Sequence, residues 1–485
     1  MRIHARLPAL ALVIALVLAP MTALGQSLTD DPRVADAIGL LEGWVDAQRA
    51  YEQIPSVTAA VVHDQELLWS AGFGYADVES RRPTTPETMY SICSISKLFT
   101  SVSAMQLRDQ GKFRLDDRVS ALLPWFELQN TFPDGAAVTV EGIMTHSAGL
   151  PRESDFPYWT APFEAPTHDQ IVSRISGQET LYPTWKYYQY SNLGLTLVGE
   201  IVAELSGEPF QKYVRENVLD PLGMTSTTSE IGEVQGTEKL ATGYSAVRRG
   251  GGRERVEPFE GRGMVPAMGF ASTVQDLAKF ASWQFRLLET GEHEVIDANT
   301  LREMQRVHYV DPGWETTRGL GFNVSRRDGK TFVGHGGSCP GHRSNLQMQM
   351  DEKVATIAMS NAMINVGLFT RRAYEIMAPA IEAAIDSPDE GKATPSELEK
   401  YVGAYDAYPW GGETHVVPWK GGLALVSLPT ENPLDGLTRL KHIEGHTFRR
   451  ILDDDELGRE VSFELDDQGQ VVRLWNPTNF LERIR

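Results

Sequence analysis

Strand-forming segments stand at both ends of a long helical stretch, and this arrangement limits the folds open to the chain more than any other feature. "SVTAAVVHDQELLWSAGFGYAD" (56–77) reads as two β-runs about a turn at His63-Asp64-Gln65. Far along the chain, "TFVGHGG" (331–337), "RSNLQMQM" (343–350) and "KVATIAMSN" (353–361) read as further strands, with alternation in Leu346, Met348 and Met350. The stretch between, from about 115 to 290, is mostly helix and loop. One antiparallel sheet assembled from both ends, flanked by helices and with the helical block as a second lobe, accommodates this order: an α/β (α+β) fold. Helices are predicted for Arg33–Tyr51, for "SKLFTSVSAMQLRDQG" with Gly111 as its stop, and from about Val366 to Ile385 with a kink at Pro379.

The ends read differently. Residues 1–25 carry Arg2 and Arg6, an apolar run Leu7–Ala19 shorter than a bilayer needs, and a small-x-small cleavage site at Ala23-Leu24-Gly25. They are predicted to be a cleaved signal peptide, so the chain is expected to be periplasmic or secreted, with no membrane insertion after cleavage. The main domain is set at 26–385. "DSPDEGKATPSE" (386–397) is a charged, apolar-poor linker. In 398–485, short β-runs such as "THVVPW", "GLALVSL" and "EVSFEL" alternate with turns, predicting a small all-β barrel or sandwich that folds separately. The formal charge of −20 disfavours nucleic acid and anionic lipid as partners and suits a small-molecule or peptide substrate. The oligomeric state is left open.

The chain has no Gly-x-Ser-x-Gly elbow, no His-Glu-x-x-His and no Cys/His zinc spacing, so neither metal nor cofactor is expected. It has one Ser-x-x-Lys, Ser94 and Lys97, inside "SICSISK" (91–97). Positions i and i+3 share a helix face. A lysine buried there loses charge stabilisation and becomes able to accept the serine proton. Ser91 has no lysine at +3, and Ser96 faces away, so Ser94 is the preferred nucleophile. Tyr190-Ser191-Asn192 is the chain's one Tyr-x-Asn, where a loop runs into an apolar helix, and His335-Gly336-Gly337 ends a β-run before Ser338.

Taken in this order, Ser94-x-x-Lys97, Tyr190-x-Asn192 and His335-x-Gly337 resemble the three motifs of the serine β-lactamase and penicillin-binding protein superfamily. They are most similar to its class C-like branch of D-peptidases, D-aminopeptidases and esterases. "GIMTHSAGLP", "MGFASTVQDLAKFA" and "GHGGSCPG" look like family segments too, and the resemblance covers about 35 to 385. It implies a β-lactamase/transpeptidase-like fold and an acyl-enzyme on Ser94. Lys97 and Tyr190 would share the proton work, with either as base. Asn192 would bond Lys97 or the substrate, and the backbone N–H groups of Ser94 and Ser338 would form the oxyanion hole.

β-Lactamases usually carry a lysine and a hydroxyl residue where this chain has His335 and Gly336. Carboxylate recognition is thereby weakened, although Arg343 stands close enough in sequence to compensate. The implied function is an exported serine hydrolase acting on a peptide amide or carboxylic ester. A β-lactamase and a weakly catalytic penicillin-binding relative are the alternatives. The resemblance also implies a disulfide between Cys93 and Cys339, because the segments bearing the two oxyanion donors flank one cleft.

Overall fold

The computed structural model describes residues 27–485 apart from residue 389, so the predicted signal peptide lies outside the described residues. A nine-stranded antiparallel sheet organises residues 27–386. Its strands are β1 (Ser56–His63), β2 (Glu66–Asp77), β3 (Arg82–Pro83), β4 (Tyr309–Val310), β5 (Thr317–Arg318), β6 (Asn323–Arg327), β7 (Lys330–Cys339), β8 (His342–Gln349) and β9 (Val354–Ser360). The order across the sheet is β4-β5-β6-β7-β8-β9-β1-β2-β3. The two sequence-distant sets of strands meet where β1 pairs with β9, Val57 opposite Ser360 through His63 opposite Val354.

Both faces of this centre are covered. On β1, Ala60 and Val62 pack into one core while Val57, Ala59 and Val61 pack into another, as the period of two requires. Helices α1 (Pro32–Tyr51) and α5 (Val366–Asp386) cover the second face. The first carries the helical lobe, including α2 (Ser96–Asp109), α3 (Asn192–Ser206) and α4 (Val274–Thr290). α2 is buried from Ser96 through Leu107, which explains why so apolar a helix carries few charges. Gly111 adopts φ +72° just beyond its end, the left-handed stop a glycine supplies without a Cβ clash.

The structure adds detail to the sequence reading in three places. The sheet extends past "TFVGHGG" into β4, β5 and β6, short pieces broken by turns in which Trp314 and Gly321 take positive φ. α5 stays a single helix through Pro379. Residues 398–485 contain a closed eight-stranded barrel, β10 (Gly403–Asp406), β11 (Glu413–Trp419), β12 (Gly422–Leu428), β13 (Thr438–Glu444), β14 (Thr447–Ile451), β15 (Leu457–Leu465), β16 (Val471–Asn476) and β17 (Asn479–Arg483). Tyr405 of β10 opposite Arg483 of β17 closes it.

The barrel is not packed as an independent unit. Ala424, Val426 and Leu428, on the outer face of β12, share one core with α1 and α5. Trp44 Nε1 donates to the Thr430 carbonyl at 2.7 Å, and Arg372 Nε donates to the Glu431 carbonyl at 2.7 Å. The barrel therefore sits behind the sheet, on the layer opposite the helical lobe.

Candidate active site

The chain reaches Ser94 through a constrained turn. Cys93 sits at φ +50°, a left-handed conformation that costs a non-glycine residue on the order of 1 kcal/mol. Cys93–Ile95 forms a 3-10 turn that feeds directly into α2. Two bonds hold this turn: Ser96 Oγ donates to the Cys93 carbonyl at 2.5 Å and accepts from Phe270 N–H at 3.1 Å. Ser96 is buried in that role, while Ser94 lines an open cleft of about 960 Å³.

Cys93 and Cys339, 246 positions apart in sequence, are joined as a disulfide, with Cα atoms 5.7 Å apart. The bond ties the turn bearing Ser94 to the end of β7, next to Ser338. Gly337 completes the close approach. A Cβ there would lie 2.1 Å from the Ile92 carbonyl oxygen and 2.2 Å from Ser344 Oγ, so no side chain fits between β7 and the segment preceding Ser94. Ser344 Oγ adds a bond to the same Ile92 carbonyl at 2.8 Å. Replacing both cysteines by serine is expected to lower stability by about 2–5 kcal/mol, the usual cost of a lost native disulfide. Thermal melts of the double variant against the oxidised parent check this.

Lys97 lies one helical turn on and is fully buried. Its Nζ donates to the Ala267 carbonyl at 2.7 Å and to Asn192 Oδ1 at 2.8 Å, and it lies 3.1 Å from Ser94 Oγ. Burial holds its ammonium well below the ordinary lysine value. The Glu153 charge pulls that value back up and the Arg152 charge pushes it further down. The hydrogen bonds are arranged to make use of the amine once it has lost its proton. A neutral amine has two N–H groups, and both are taken by oxygens that can only accept. The remaining lone pair then points at Ser94 Oγ.

Asn192 is fixed from its other end. Its Nδ2 donates to Glu153 Oε1 at 2.8 Å and to Oε2 at 3.1 Å, which orients Oδ1 toward the lysine. Glu153 also pairs with Arg152 Nε at 3.0 Å and accepts the Tyr158 hydroxyl. The 151–153 loop grips the start of α3 by backbone as well. Ser191 Oγ donates to the Pro151 carbonyl at 2.6 Å and Asn192 N–H to the Arg152 carbonyl at 2.7 Å.

Tyr190 borders the same lysine, with Lys97 Nζ and Arg152 Cζ each 4.9 Å from its ring centroid. Burial pushes its phenol up to about 12, against the opposing pull of the Ser94 hydroxyl, Arg152 and Arg318. The tyrosine is thus protonated at neutral pH, and its neighbouring cations do not overcome its burial. The buried His146 positions the loop. Its Nδ1 accepts from Ser191 N–H at 3.1 Å, and its ring lies 4.3 Å from that of Tyr190.

His335 lines the opposite wall, on β7. Burial, with the Lys97 and Arg318 charges, pulls its imidazole down to about 3. It is therefore neutral at pH 7. Its Nδ1 bonds the Gly336 carbonyl at 2.6 Å, which requires the proton on Nδ1 and leaves Nε2 an acceptor. Arg343 is opposite Ser338 in the β7–β8 hairpin, and both line the cleft with Gly336 and Gly337. No barrel residue lines it among the described residues.

The structure thus brings Ser94, Lys97, Tyr190, Asn192, His335, Gly337, Ser338 and Arg343 together around one cleft or its immediate support. Sequence reasoning missed Arg152, Glu153, His146 and Ala267. The His146 segment was visible as "GIMTHSAGLP", but its role was not.

The charges around Lys97 make a paired prediction. Turnover should rise with pH as Lys97 loses its proton. Glu153→Gln removes the charge that raises the lysine's pKa, so kcat/KM should begin its rise at lower pH. Arg152→Gln removes a charge that lowers it, so the rise should move to higher pH. Profiles shifted in the same direction by both variants would exclude Lys97 as the titrating group.

Comparisons with known proteins agree in coverage. Residues 41–380 match the family model described as Beta-lactamase, and 387–483 match one described as Domain of unknown function (DUF3471). Beta-lactamase-like protein 2 of Dictyostelium discoideum is 30% identical over 339 residues, 68% of this chain and 60% of that protein. The chain therefore spans less than two thirds of the length of that relative. A D-aminopeptidase of Gluconobacter oxydans is 26% identical over 406 residues, 82% of this chain and 72% of that one. Among solved structures, the octameric penicillin-binding protein homologue from Pyrococcus abyssi superposes with TM-score 0.62 at 22% identity, covering 92% of this chain and 99% of that one. D-amino acid amidase from Ochrobactrum anthropi, complexed with L-phenylalanine amide, gives 0.59 at 25% identity, covering 73% of this chain and 100% of that one.

Proposed function

The chain belongs to the β-lactamase family, within the serine β-lactamase and penicillin-binding protein superfamily, and from that premise we propose that it hydrolyses a peptide amide or a carboxylic ester through acyl-Ser94. The observation that carries the reading is the 3.1 Å approach of the buried Lys97 Nζ to Ser94 Oγ, with its other two contacts made to oxygens that only accept and its pKa lowered by burial.

In this mechanism Lys97 takes the Ser94 proton as Oγ attacks the carbonyl carbon. The oxyanion forms against the backbone N–H groups of Ser94 and Ser338, which the disulfide and Gly337 hold in register. Tyr190, protonated and beside the lysine, gives its proton to the leaving nitrogen or oxygen and takes back the one Lys97 received from Ser94, so both groups return to their starting state. Water then repeats the cycle on the acyl-enzyme.

The substrate preference rests on His335. A neutral imidazole offering an acceptor suits an N–H donor, such as the amine or amide of a D-amino-acid derivative, better than a carboxylate. Relatives named D-aminopeptidase and D-amino acid amidase support that direction. Arg343 and Arg152 in the cleft favour a second reading, β-lactam hydrolysis, because each supplies a cation for a carboxylate. An export route is part of the proposal, supported by a disulfide that persists in oxidising compartments.

A hydrolysis panel tests the choice. D-Amino acid amides and p-nitrophenyl esters should be turned over well above nitrocefin. Nitrocefin as the best substrate would replace this reading with the second.

A further inference from the structure

At one end of the barrel the interior changes chemistry. The barrel core includes Val416, Leu425, Leu440, Phe448, Leu474 and Leu481. Two positions from each of these, on the same inward face, stand Thr414, Ser427, Thr438, Arg450, Asn476 and Asn479. Six different strands thus contribute one polar residue each. Cross-strand register brings them level: Thr414 is opposite Ser427, and Asn476 is opposite Asn479. A cavity of about 350 Å³ opens there, within the range of small-molecule sites. Its apolar floor includes Leu425, Leu474 and Leu481. Eight strands leave an interior wide enough for side chains or one small ligand, and at this end the side chains are too short to fill it.

The charge in the cavity is uneven. Arg450 lines it, donates from Nη2 to Asn476 Oδ1 at 3.0 Å, and has its Nε buried without a protein partner. Glu413 also lines the cavity, but its carboxylate is already engaged by His415 at 3.0 Å and by Arg485 at 2.9 Å. One planar guanidinium matches a carboxylate fork. A dianionic phosphate would need more positive charge than this corner of an acidic protein supplies. Trp410, 85% exposed, stands at the rim as an apolar surface for whatever enters.

We propose that this open end of the barrel binds a small carboxylate carrying amide or hydroxyl groups and a short apolar body, with Arg450 holding the carboxylate. The site is separate from the Ser94 cleft and shares no lining residue with it. It gives the appended domain a role in retaining a metabolite or a peptide fragment next to a hydrolase.

Calorimetric titration of the full chain, as Ser94→Ala, with N-acetyl-leucine tests the proposal. Binding is expected, weakened about tenfold or more by adding Arg450→Gln, the usual effect of losing a charged hydrogen bond, and unchanged by adding Arg343→Gln in the cleft. N-acetyl-leucinamide should bind at least about tenfold more weakly. Should Arg450→Gln fail to fold, Ser427→Phe fills the cavity and should abolish binding. The proposal is overturned if N-acetyl-leucine does not bind, if Arg343→Gln rather than Arg450→Gln removes binding, or if phenyl phosphate binds more tightly than the carboxylate.

Discussion

Ser94→Ala is expected to lower kcat/KM on any ester or amide the protein turns over by about 10⁴-fold or more, the scale on which removal of a covalent nucleophile acts. The loss should fall on kcat, because the substrate still meets the same cleft walls. The fold should survive: Ser94 is half-buried, and its hydroxyl is engaged by Lys97 rather than by the core. Ser91 and Ser96 serve as internal controls. Both are buried in structural bonds, Ser96 to the Cys93 carbonyl and Ser91 against the disulfide sulfurs. Retention of more than a few per cent of activity in Ser94→Ala would mean that another group carries the acyl chain.

Lys97→Ala is expected to cost at least about 10²-fold, the range of a general base in direct contact with its nucleophile. The acid limb of the pH–rate profile should disappear with it, since His335 titrates near 3 and Tyr190 near 12. Methylamine added to Lys97→Ala should restore part of the rate by occupying the vacated space beside Ser94. Tyr190→Phe should reduce the rate as well. In the double variant the losses should fall short of multiplying, because the two groups move one proton between them. Full multiplicativity, with no amine rescue, would assign the base elsewhere.

The residues legible in the sequence were those whose chemistry is tied to a short spacing. Ser94 and Lys97 share a helix face, Tyr190 and Asn192 flank a helix start, and His335 and Gly337 end a strand, so each motif announces itself within a few residues. Glu153 and Arg152 did not stand out, because an adjacent Arg-Glu pair reads as ordinary surface charge. Only the tertiary approach of Asn192 and Lys97 gives it meaning. Ala267 acts through its carbonyl, which any residue supplies, so no side chain marks it. His146 likewise acts on a backbone N–H 45 positions away.

The same logic explains the tail. Period-two alternation gave strands, but closure depends on β10 meeting β17, at the two extremes of the domain. The sequence does carry one signal of docking. "GLALVSL" is apolar on both faces, which is the mark of a strand buried on both sides, and its outer face is the one that packs on α1 and α5.

The central claim is an acyl-enzyme on Ser94 formed with Lys97 as base. Its most direct test is rapid-quench peptide mass spectrometry during turnover of a p-nitrophenyl ester. The acyl mass is predicted on the peptide containing Ser94, building up in the parent protein, forming at least about 10²-fold more slowly in Lys97→Ala, and absent in Ser94→Ala. An acyl group mapped to a different residue, or turnover without any covalent intermediate on Ser94, would contradict the account.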